Sequence, residues 1–305
     1  MESTMTETLS AAQRSFLLGL IGTNVAGSLT PPMHEAEALR QGIPLVYRPI
    51  DPTVMSCPVM DRAGEVDWPT VVERAVDFGY SGFNVTHPAK RGVIPALDDL
   101  DEDAELLGAV NTITVSQGRL IGRNTDHRGF TEALAAIAVD PKQGEVVQVG
   151  AGGAGAAVAY ALLSAGVPRL SITDIDPESA QSLVGRMSAA FEASRMRLVA
   201  PDEAPEVIRG AVGVVNATPI GMMGVSDASP IDLNLLHSGL WVGDVIYRPK
   251  RTRLVKAAEA VGAPAFGGAR MAVGQAAASF ELFTDRTADH ESMLGTFEDR
   301  IVGSA

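Results

Sequence analysis

Seven polar residues in the first half of the chain lie where segments typical of buried strands come to an end. They are Ser28, Thr30, Asn84, Thr86, Lys90, Asn111 and Asp126. Open α/β sheets bind ligands outside the carboxyl ends of their strands, so we expect these side chains to converge there. One lysine and one aspartate among neutral hydrogen-bonding groups suit a small molecule with several hydroxyl groups and a single negative charge. A ligand rich in phosphate would require more cations.

Lys90 and Asp126 are the two members of this set that could transfer a proton. Oxidation of a secondary alcohol removes the hydroxyl proton as a hydride leaves the carbon atom. A neutral lysine amine can accept that proton, and an aspartate can accept a hydrogen bond from the hydroxyl or from the lysine. Burial favours the neutral amine and a nearby carboxylate favours the ammonium, so the protonation state of Lys90 before substrate binds stays open. Taken alone, a lysine at the start of a helix is more commonly a solvated cation, and only the motif around Lys90 favours a catalytic role.

A glycine-rich turn, GAGGAG, occupies residues 150–155 and fits the G-x-G-x-x-G pattern. It follows the strand-like segment EVVQV and precedes the helical segment AAVAYALLSAG, which is the context that a dinucleotide-binding loop requires. Gly150 permits the tight turn, Gly152 lets the backbone approach a diphosphate, and Gly155 allows close packing of helix on strand. Gly153 and Ala154 present backbone amides at the helix start. The alternative is a plain strand–turn–helix corner.

Asp174 follows the next strand-like segment, at the distance from the glycine turn expected of a ribose-binding acid. Its carboxylate could accept both hydroxyls of the adenosine ribose and would repel a 2′-phosphate. No lysine or arginine occurs between Asp174 and Arg186. The sequence therefore favours NAD over NADP as the cofactor. Asp174 could also be a turn residue, although Asp176 already suits the start of the next helix.

Composition excludes several classes of protein. The formal net charge of −13 argues against binding to nucleic acid, and no Lys/Arg block suggests a membrane-surface role. A lone cysteine, Cys57, cannot form an internal disulfide or hold zinc alone, so we expect no metal. The polar N-terminus does not resemble a signal peptide, and no apolar run approaches the ~20 residues of a spanning helix. We expect a cytoplasmic protein with a disordered tail over residues 1–15.

Strand-like and helix-like segments alternate along both halves of the chain, which predicts two α/β units. The first should be an open α/β sheet, and the second a Rossmann-type, doubly wound parallel sheet. Two alternating runs around residues 116–118 predict a hairpin. The segment MAVGQAAASFELFTD should be a helix that returns to the first unit. His34 is expected on a helix surface or in packing, and His127 in solvent.

Seven motifs, in order along the chain, resemble those of the shikimate dehydrogenase family, including its quinate/shikimate dehydrogenase branch. They are GSLTPPMH, NVTHPAK, GAVNT, GRNTD, GAGGAG, NATPIGM and GGARMAVGQ. The resemblance implies a substrate-binding domain formed by residues 16–125 and 268–305. It also implies a nicotinamide-binding Rossmann domain of residues 126–267, with a cleft between the two.

The same resemblance implies a role for individual residues. Ser28 and Thr30 should hold a substrate carboxylate, with Thr86 nearby. The ring hydroxyls should bind Asn111, Asp126 and Gln275, with Tyr247 also in the substrate site. Lys90 and Asp126 should be the catalytic pair. The cofactor side should be lined by Asn216, Thr218 and Met222, with Gly243 behind the nicotinamide.

One departure from the family bears on the substrate. Thr30 stands where the family commonly has serine, and its methyl group would reshape the pocket around ring carbon 1. Quinate carries a hydroxyl there and shikimate a double bond. Together with Asp174, this favours a reversible NAD-dependent quinate/shikimate dehydrogenase, acting on a small molecule as a monomer or homodimer. The alternatives are an NADP-dependent biosynthetic shikimate dehydrogenase, an enzyme for an amino analogue of shikimate, and a non-catalytic sensor of quinate-pathway ligands.

Overall fold

Each half of the chain forms its own six-stranded sheet. The computed structural model describes residues 15–55 and 58–302, so Cys57 and residues 1–14 of the predicted tail lie outside the described residues. None of the helices in the described ranges is long and apolar enough to cross a membrane.

The elements alternate much as the sequence patterns predict. The strands are β1 Phe16–Ile21, β2 Leu45–Ile50, β3 Gly82–Val85, β4 Asp99–Leu100, β5 Thr112–Ser116, β6 Arg119–Arg123, β7 Glu145–Val149, β8 Arg169–Thr173, β9 Met196–Leu198, β10 Gly213–Asn216, β11 Trp241–Asp244 and β12 Ala265–Phe266. The helices are α1 Thr30–Arg40, α2 Trp68–Asp77, α3 Ala89–Gly92, α4 Glu102–Leu107, α5 Asp126–Ala135, α6 Gly153–Ser164, α7 Pro177–Met187, α8 Ala204–Gly210, α9 Arg253–Ala260, α10 Ala269–Thr284 and α11 His290–Val302.

The first sheet is mixed, with the strand order β2-β1-β3-β5-β6-β4. Strands β2, β1 and β3 are parallel, because a helix separates each from the next. Strands β5 and β6 form the predicted hairpin, and β5 runs antiparallel to β3. The hairpin brings the segments that precede β5 and follow β6, which carry Asn111 and Asp126, to the same edge as the end of β3.

The second sheet is wholly parallel, with the order β12-β11-β10-β7-β8-β9. This is the doubly wound order, and the strand sequence reverses between β7 and β10. Its central strands are apolar on both faces, since helices cover both: Val146, Val147, Val214 and Val215 are fully buried. The predicted Rossmann-type class is confirmed, and the reversal point marks where a ligand should bind.

Helices α5 and α10 cross in contact and join the two halves. Helix α10 also packs against α1, α11 and β5, whereas α5 packs against α6 of the second sheet. Gly129 of α5 and Gly274 of α10 meet where the helices cross. The helices can approach this closely because neither glycine carries a side chain.

Candidate active site

A cavity of about 180 Å³ lies where the polar strand ends of the first sheet meet α10 and the loop after β11. Every predicted substrate-binding and catalytic residue lines it. They are Ser28, Thr30, Thr86, Lys90, Asn111, Asp126, Tyr247 and Gln275. The remaining lining is largely apolar and includes Leu29, Met33, Met271 and Phe297. The cavity therefore combines hydrogen-bonding groups with apolar lining, which suits a small ring with hydroxyl groups.

Lys90 and Asp126 form a direct ion pair in this cavity. Lys90 lies in the short helix α3, and Asp126 is the first residue of α5, where the helix dipole favours a negative charge. The Lys90 Nζ atom donates to Asp126 Oδ2, and Asn111 Nδ2 donates to Asp126 Oδ1 at 2.8 Å. The two side chains are 24% and 12% exposed, so both remain within reach of a ligand. A hydroxyl group placed beside them could exchange a proton with the pair.

Asn111 connects two Asn-Thr pairs, at residues 111–112 and 124–125, to helix α10. Its Oδ1 atom accepts hydrogen bonds from Thr125 N at 2.8 Å and from Thr112 Oγ1 at 2.9 Å. Its Nδ2 atom lies 3.4 Å from Gln275 Oε1, and Thr125 Oγ1 donates to the Gln275 carbonyl at 3.0 Å. These bonds fix Asn111 and Asp126 relative to Gln275. The uncharged groups around the aspartate thus hold the site together as well as lining it.

Further polar groups contact Asn84, which lines the cavity. Tyr47 Oη donates to Asn84 Oδ1 at 2.6 Å, and Ser279 Oγ lies 3.4 Å from His34 Nε2. Burial lowers the pKa of His34 to about 3 and raises the pKa of Tyr47 well above its usual value, so both are neutral near pH 7. Of the two positions expected for His34, on a helix surface or in the packed interior, the structure shows the packed interior. The sequence analysis did not identify Tyr47 or Ser279 as supporting residues. Ser279 could have been identified, because a serine four residues after Gln275 lies on the same face of an otherwise apolar helix.

His127 is not the solvent-facing residue that the sequence led us to expect. Its side chain is 13% exposed, and its Nε2 atom lies 2.9 Å from Asp103 Oδ2. The imidazole also meets the Tyr160 ring edge-on at 4.9 Å. Burial lowers the pKa of His127, and the Asp103 carboxylate opposes that shift. The expectation was wrong because Asp103 of α4 and Tyr160 of α6 pack against the imidazole and shield it from solvent.

The glycine turn has the geometry that the motif predicts. Gly150 has a φ of 107°, and a Cβ atom there would lie 2.8 Å from the Ala217 carbonyl carbon. A Cβ atom on Gly155 would lie 2.4 Å from the Gly150 oxygen, so strand and helix could not pack as they do. Gly152 caps the start of α6, and a Cβ atom built on it would have no neighbouring heavy atom of the described residues within 4 Å. The turn therefore leaves room for a diphosphate at a helix N-terminus, and the residues present fit a dinucleotide.

Two further cavities flank the glycine turn. One, of about 370 Å³, is mostly apolar and is lined by Gly150, Gly152, Asp174 and Thr218. The other, of about 720 Å³, separates Gly152, Gly153 and Ala154 from Thr86 and Lys90 of the first half. A ligand on the turn could thus extend from the first of these cavities to the catalytic pair.

Asp174 faces the apolar cavity and also fixes the turn. Its Oδ2 atom accepts a hydrogen bond from Ala151 N at 2.6 Å, and its Oδ1 atom accepts from Asp176 N at 2.9 Å. Asp176 itself caps α7 through Glu178 N, as expected. One carboxylate therefore shapes the glycine turn while lying where an adenosine ribose is expected.

Three of the residues expected on the cofactor side lie away from the lining of these cavities. Asn216 is fully buried; its Oδ1 atom accepts from Thr218 N at 2.9 Å, and its Nδ2 atom donates to Asp244 Oδ1 at 3.0 Å. Gly243 lies within β11 against the Phe266 ring, and Met222 lies in a partly exposed loop. Asn216 thereby shapes the loop that carries Thr218. The roles expected of these residues toward a cofactor remain predictions.

Comparison with known proteins matches two parts of the chain to family domains. Residues 20–113 match the shikimate dehydrogenase substrate binding domain, and residues 268–296 match the shikimate 5′-dehydrogenase C-terminal domain. Shikimate dehydrogenase (NADP(+)) of Pseudarthrobacter chlorophenolicus is 44% identical over 289 residues, which cover 95% of this chain and 96% of the relative. The chain belongs to the shikimate dehydrogenase family.

Other members of the shikimate dehydrogenase family with similar sequences carry a different cofactor in their names. Quinate/shikimate dehydrogenase (NAD(+)) of Corynebacterium efficiens is 43% identical over 284 residues, covering 93% of this chain and 98% of the relative. The structure of quinate dehydrogenase from Corynebacterium glutamicum in complex with NAD superposes with a TM-score of 0.86 at 43% identity. That match covers 93% of this chain and 99% of the other. These relatives confirm the predicted family and make this chain a dehydrogenase of the shikimate type.

Proposed function

We propose that the chain catalyses the reversible NAD-dependent oxidation of quinate and shikimate to 3-dehydroquinate and 3-dehydroshikimate. The observation that carries this function is the Lys90–Asp126 pair, which shares one cavity with the Ser28 and Thr30 hydroxyls and the Gln275 amide. The hydroxyl donors suit a carboxylate, and the amide and carboxylate groups suit ring hydroxyls.

The chain's own residues bind the ring and move the proton. Asn111 and Gln275 orient the ring hydroxyls, and Lys90 with Asp126 takes the proton of the reacting hydroxyl and returns it in the reverse direction. A bound nicotinamide supplies the hydride acceptor. The apolar residues of the lining offer contacts to the carbon atoms of the ring.

Support for NAD comes from the cavity beside the glycine turn. Asp174 and Asp232 line it, and no lysine or arginine is among the described residues that do so. A 2′-phosphate placed near Asp174 would meet negative charge, whereas two ribose hydroxyls would meet a hydrogen-bond acceptor.

The rival function is an NADP-dependent shikimate dehydrogenase, and one feature favours it. Arg91 and Arg186 line the cleft on the other side of the glycine turn, where Asp176 and Glu178 also lie. Burial and the charge of Arg91 lower the pKa of Arg186, so an anion between the two arginines would be stabilised. A 2′-phosphate directed into this cleft, away from Asp174, would find two cations.

Initial rates with each acid and each dinucleotide test the function, using the wild type, Lys90→Ala and Lys256→Ala. We expect turnover of both acids, with kcat/KM for NAD at least about tenfold above that for NADP. Lys90→Ala should lower kcat by roughly 10²–10⁴-fold while ring binding stays measurable by calorimetry. Lys256 lies exposed on α9, so its replacement controls for the loss of a lysine.

Three results would count against the function. Absence of turnover with both acids in the wild type would refute it, and a tenfold preference for NADP would refute the role of Asp174. Binding of the acids without turnover would instead identify a ligand sensor.

A further inference from the structure

Arg248 lies between the two halves of the site, in the loop that follows β11. Tyr247, the residue before it, lines the substrate cavity. Asp244 anchors the loop by accepting hydrogen bonds from Ile246 N at 3.1 Å and Thr252 Oγ1 at 2.7 Å. The Arg248 carbonyl accepts from Met223 N at 2.8 Å. The Arg248 backbone is thus fixed to the dinucleotide-binding side of the molecule.

The Arg248 side chain reaches across to the other side. Its Nη2 atom donates to the Gly27 carbonyl at 3.3 Å, and its Nη1 atom would lie 4.0 Å from a Cβ atom on Gly27. Gly27 immediately precedes Ser28, which lines the cavity at the expected carboxylate position. The guanidinium therefore lies next to the loop that should hold the substrate's negative charge.

This guanidinium has unused hydrogen-bonding capacity. Within the part of the chain that the structure describes, its buried Nε atom has no hydrogen-bond partner and no carboxylate forms an ion pair with Arg248. Five N–H groups are available on an arginine, in a planar arrangement that matches a carboxylate. A cation placed this way, with one weak bond to a carbonyl, is suited to receive an anion.

The charges inside the cavity make an additional cation important. Among the described residues that line it, Lys90 is the one cation, and it is paired with Asp126. An anionic substrate would therefore meet hydroxyl donors at Ser28 and Thr30 but no net positive charge in the lining. Arg248 is positioned to supply that charge from the neighbouring loop.

We propose that Arg248 is a specificity residue that completes the carboxylate site from across the cleft. Its charge selects anionic substrates over uncharged ones of the same shape. Because this inference rests on the proposed function, its test begins with the wild-type enzyme on both acids. Failure there refutes the function, and only the later comparison of variants concerns Arg248.

The test compares Arg248→Met, Arg248→Lys and the control Arg251→Met, with shikimate and with its uncharged methyl ester. Arg251 is a nearby exposed arginine that is paired with Glu259. We expect Arg248→Met to raise KM for shikimate by about ten- to hundredfold, with a smaller change in kcat and no change in KM for the dinucleotide. The KM for the ester should stay the same. Arg248→Lys should restore part of the affinity for the acid, and Arg251→Met should resemble the wild type.

The ratio of acid to ester separates a charge effect from a structural one. If Arg248→Met raises both KM values equally, Arg248 only supports the loop and the proposal is overturned. An unchanged KM for the acid overturns it as well. Should Arg248→Met fold poorly, the comparison is made with Arg248→Lys, whose KM for the acid must then rise more than its KM for the ester.

Discussion

His34 shows what one buried titratable side chain does to the stability of this molecule. It is fully buried among Tyr47, Phe280 and Phe283, and within the described chain its Nδ1 atom has no hydrogen-bond partner. Burial lowers its pKa to about 3. An unfolded chain would bind a proton at this histidine near its ordinary pKa of about 6.5. Acid therefore favours the unfolded state at this position.

The free energy of unfolding should fall as pH decreases below about 6.5, by about 1.4 kcal/mol per pH unit for this one group. His34→Leu removes that dependence, so its stability should change less steeply between about pH 6.5 and 5 than that of the wild type. Urea unfolding at several pH values measures the difference, with the exposed His237→Leu as a control. Burial also raises the pKa of Asp244 to about 6, an effect of opposite sign that cancels in the comparison. Equal slopes in wild type and His34→Leu would contradict the assignment.

At the scale of elements, the crossing of α5 and α10 sets the geometry of the site. Helix α5 begins at Asp126 and α10 carries Gln275, so their separation determines the spacing of two ring-binding groups. A Cβ atom on Gly129 would lie 2.2 Å from the Met271 carbonyl oxygen, and one on Gly274 would lie 2.8 Å from Gly129 Cα. Because these contacts are with backbone atoms, small side-chain movements cannot relieve them.

Gly129→Ala should therefore destabilise the protein by about 1–3 kcal/mol and raise KM for the acid, although alanine is the better helix former. The matched control is Gly185→Ala in α7, where no heavy atom of the described residues, apart from the neighbouring helix backbone, lies within 4 Å of the added methyl group. That change should stabilise the fold by up to about 1 kcal/mol. Denaturant unfolding and acid-dependent kinetics measure both variants. If the two substitutions had the same effect, close packing at the crossing would not be the cause.

The sequence predicted those elements that local patterns specify. Turn glycines, the hairpin at residues 116–118 and the strand–turn–helix around Gly150 are readable because each depends on a few neighbouring residues. The convergence of the polar side chains could be predicted because parallel strands end at the same edge of a sheet. Contacts between distant segments were not: Ser279 with His34, or Arg248 with Gly27, depend on how whole helices and loops pack. The exposure of His127 was predicted wrongly for the same reason.

At the scale of the whole molecule, α5 and α10 should make the two sheets unfold together. The chain has two tryptophans, and each reports on one half: Trp68 begins α2, and Trp241 begins β11. Trp241→Phe leaves a reporter in the first half, and Trp68→Phe leaves one in the second. Within each variant, the urea midpoint by tryptophan fluorescence should coincide with that by circular dichroism. Separate midpoints would show that the halves unfold independently despite the shared helices.

The apolar residues in the lining of the cavity have a consequence for how such an enzyme can diverge. Met33, Met271 and Phe297 contribute bulk and no strong hydrogen-bonding groups, and methionine adapts readily to new shapes. Exchanging these three for smaller or larger apolar residues alters the accepted ring substituents while leaving the machinery of proton exchange in place. New substrate ranges can therefore arise through these three apolar positions, and directed evolution of biocatalysts would start there.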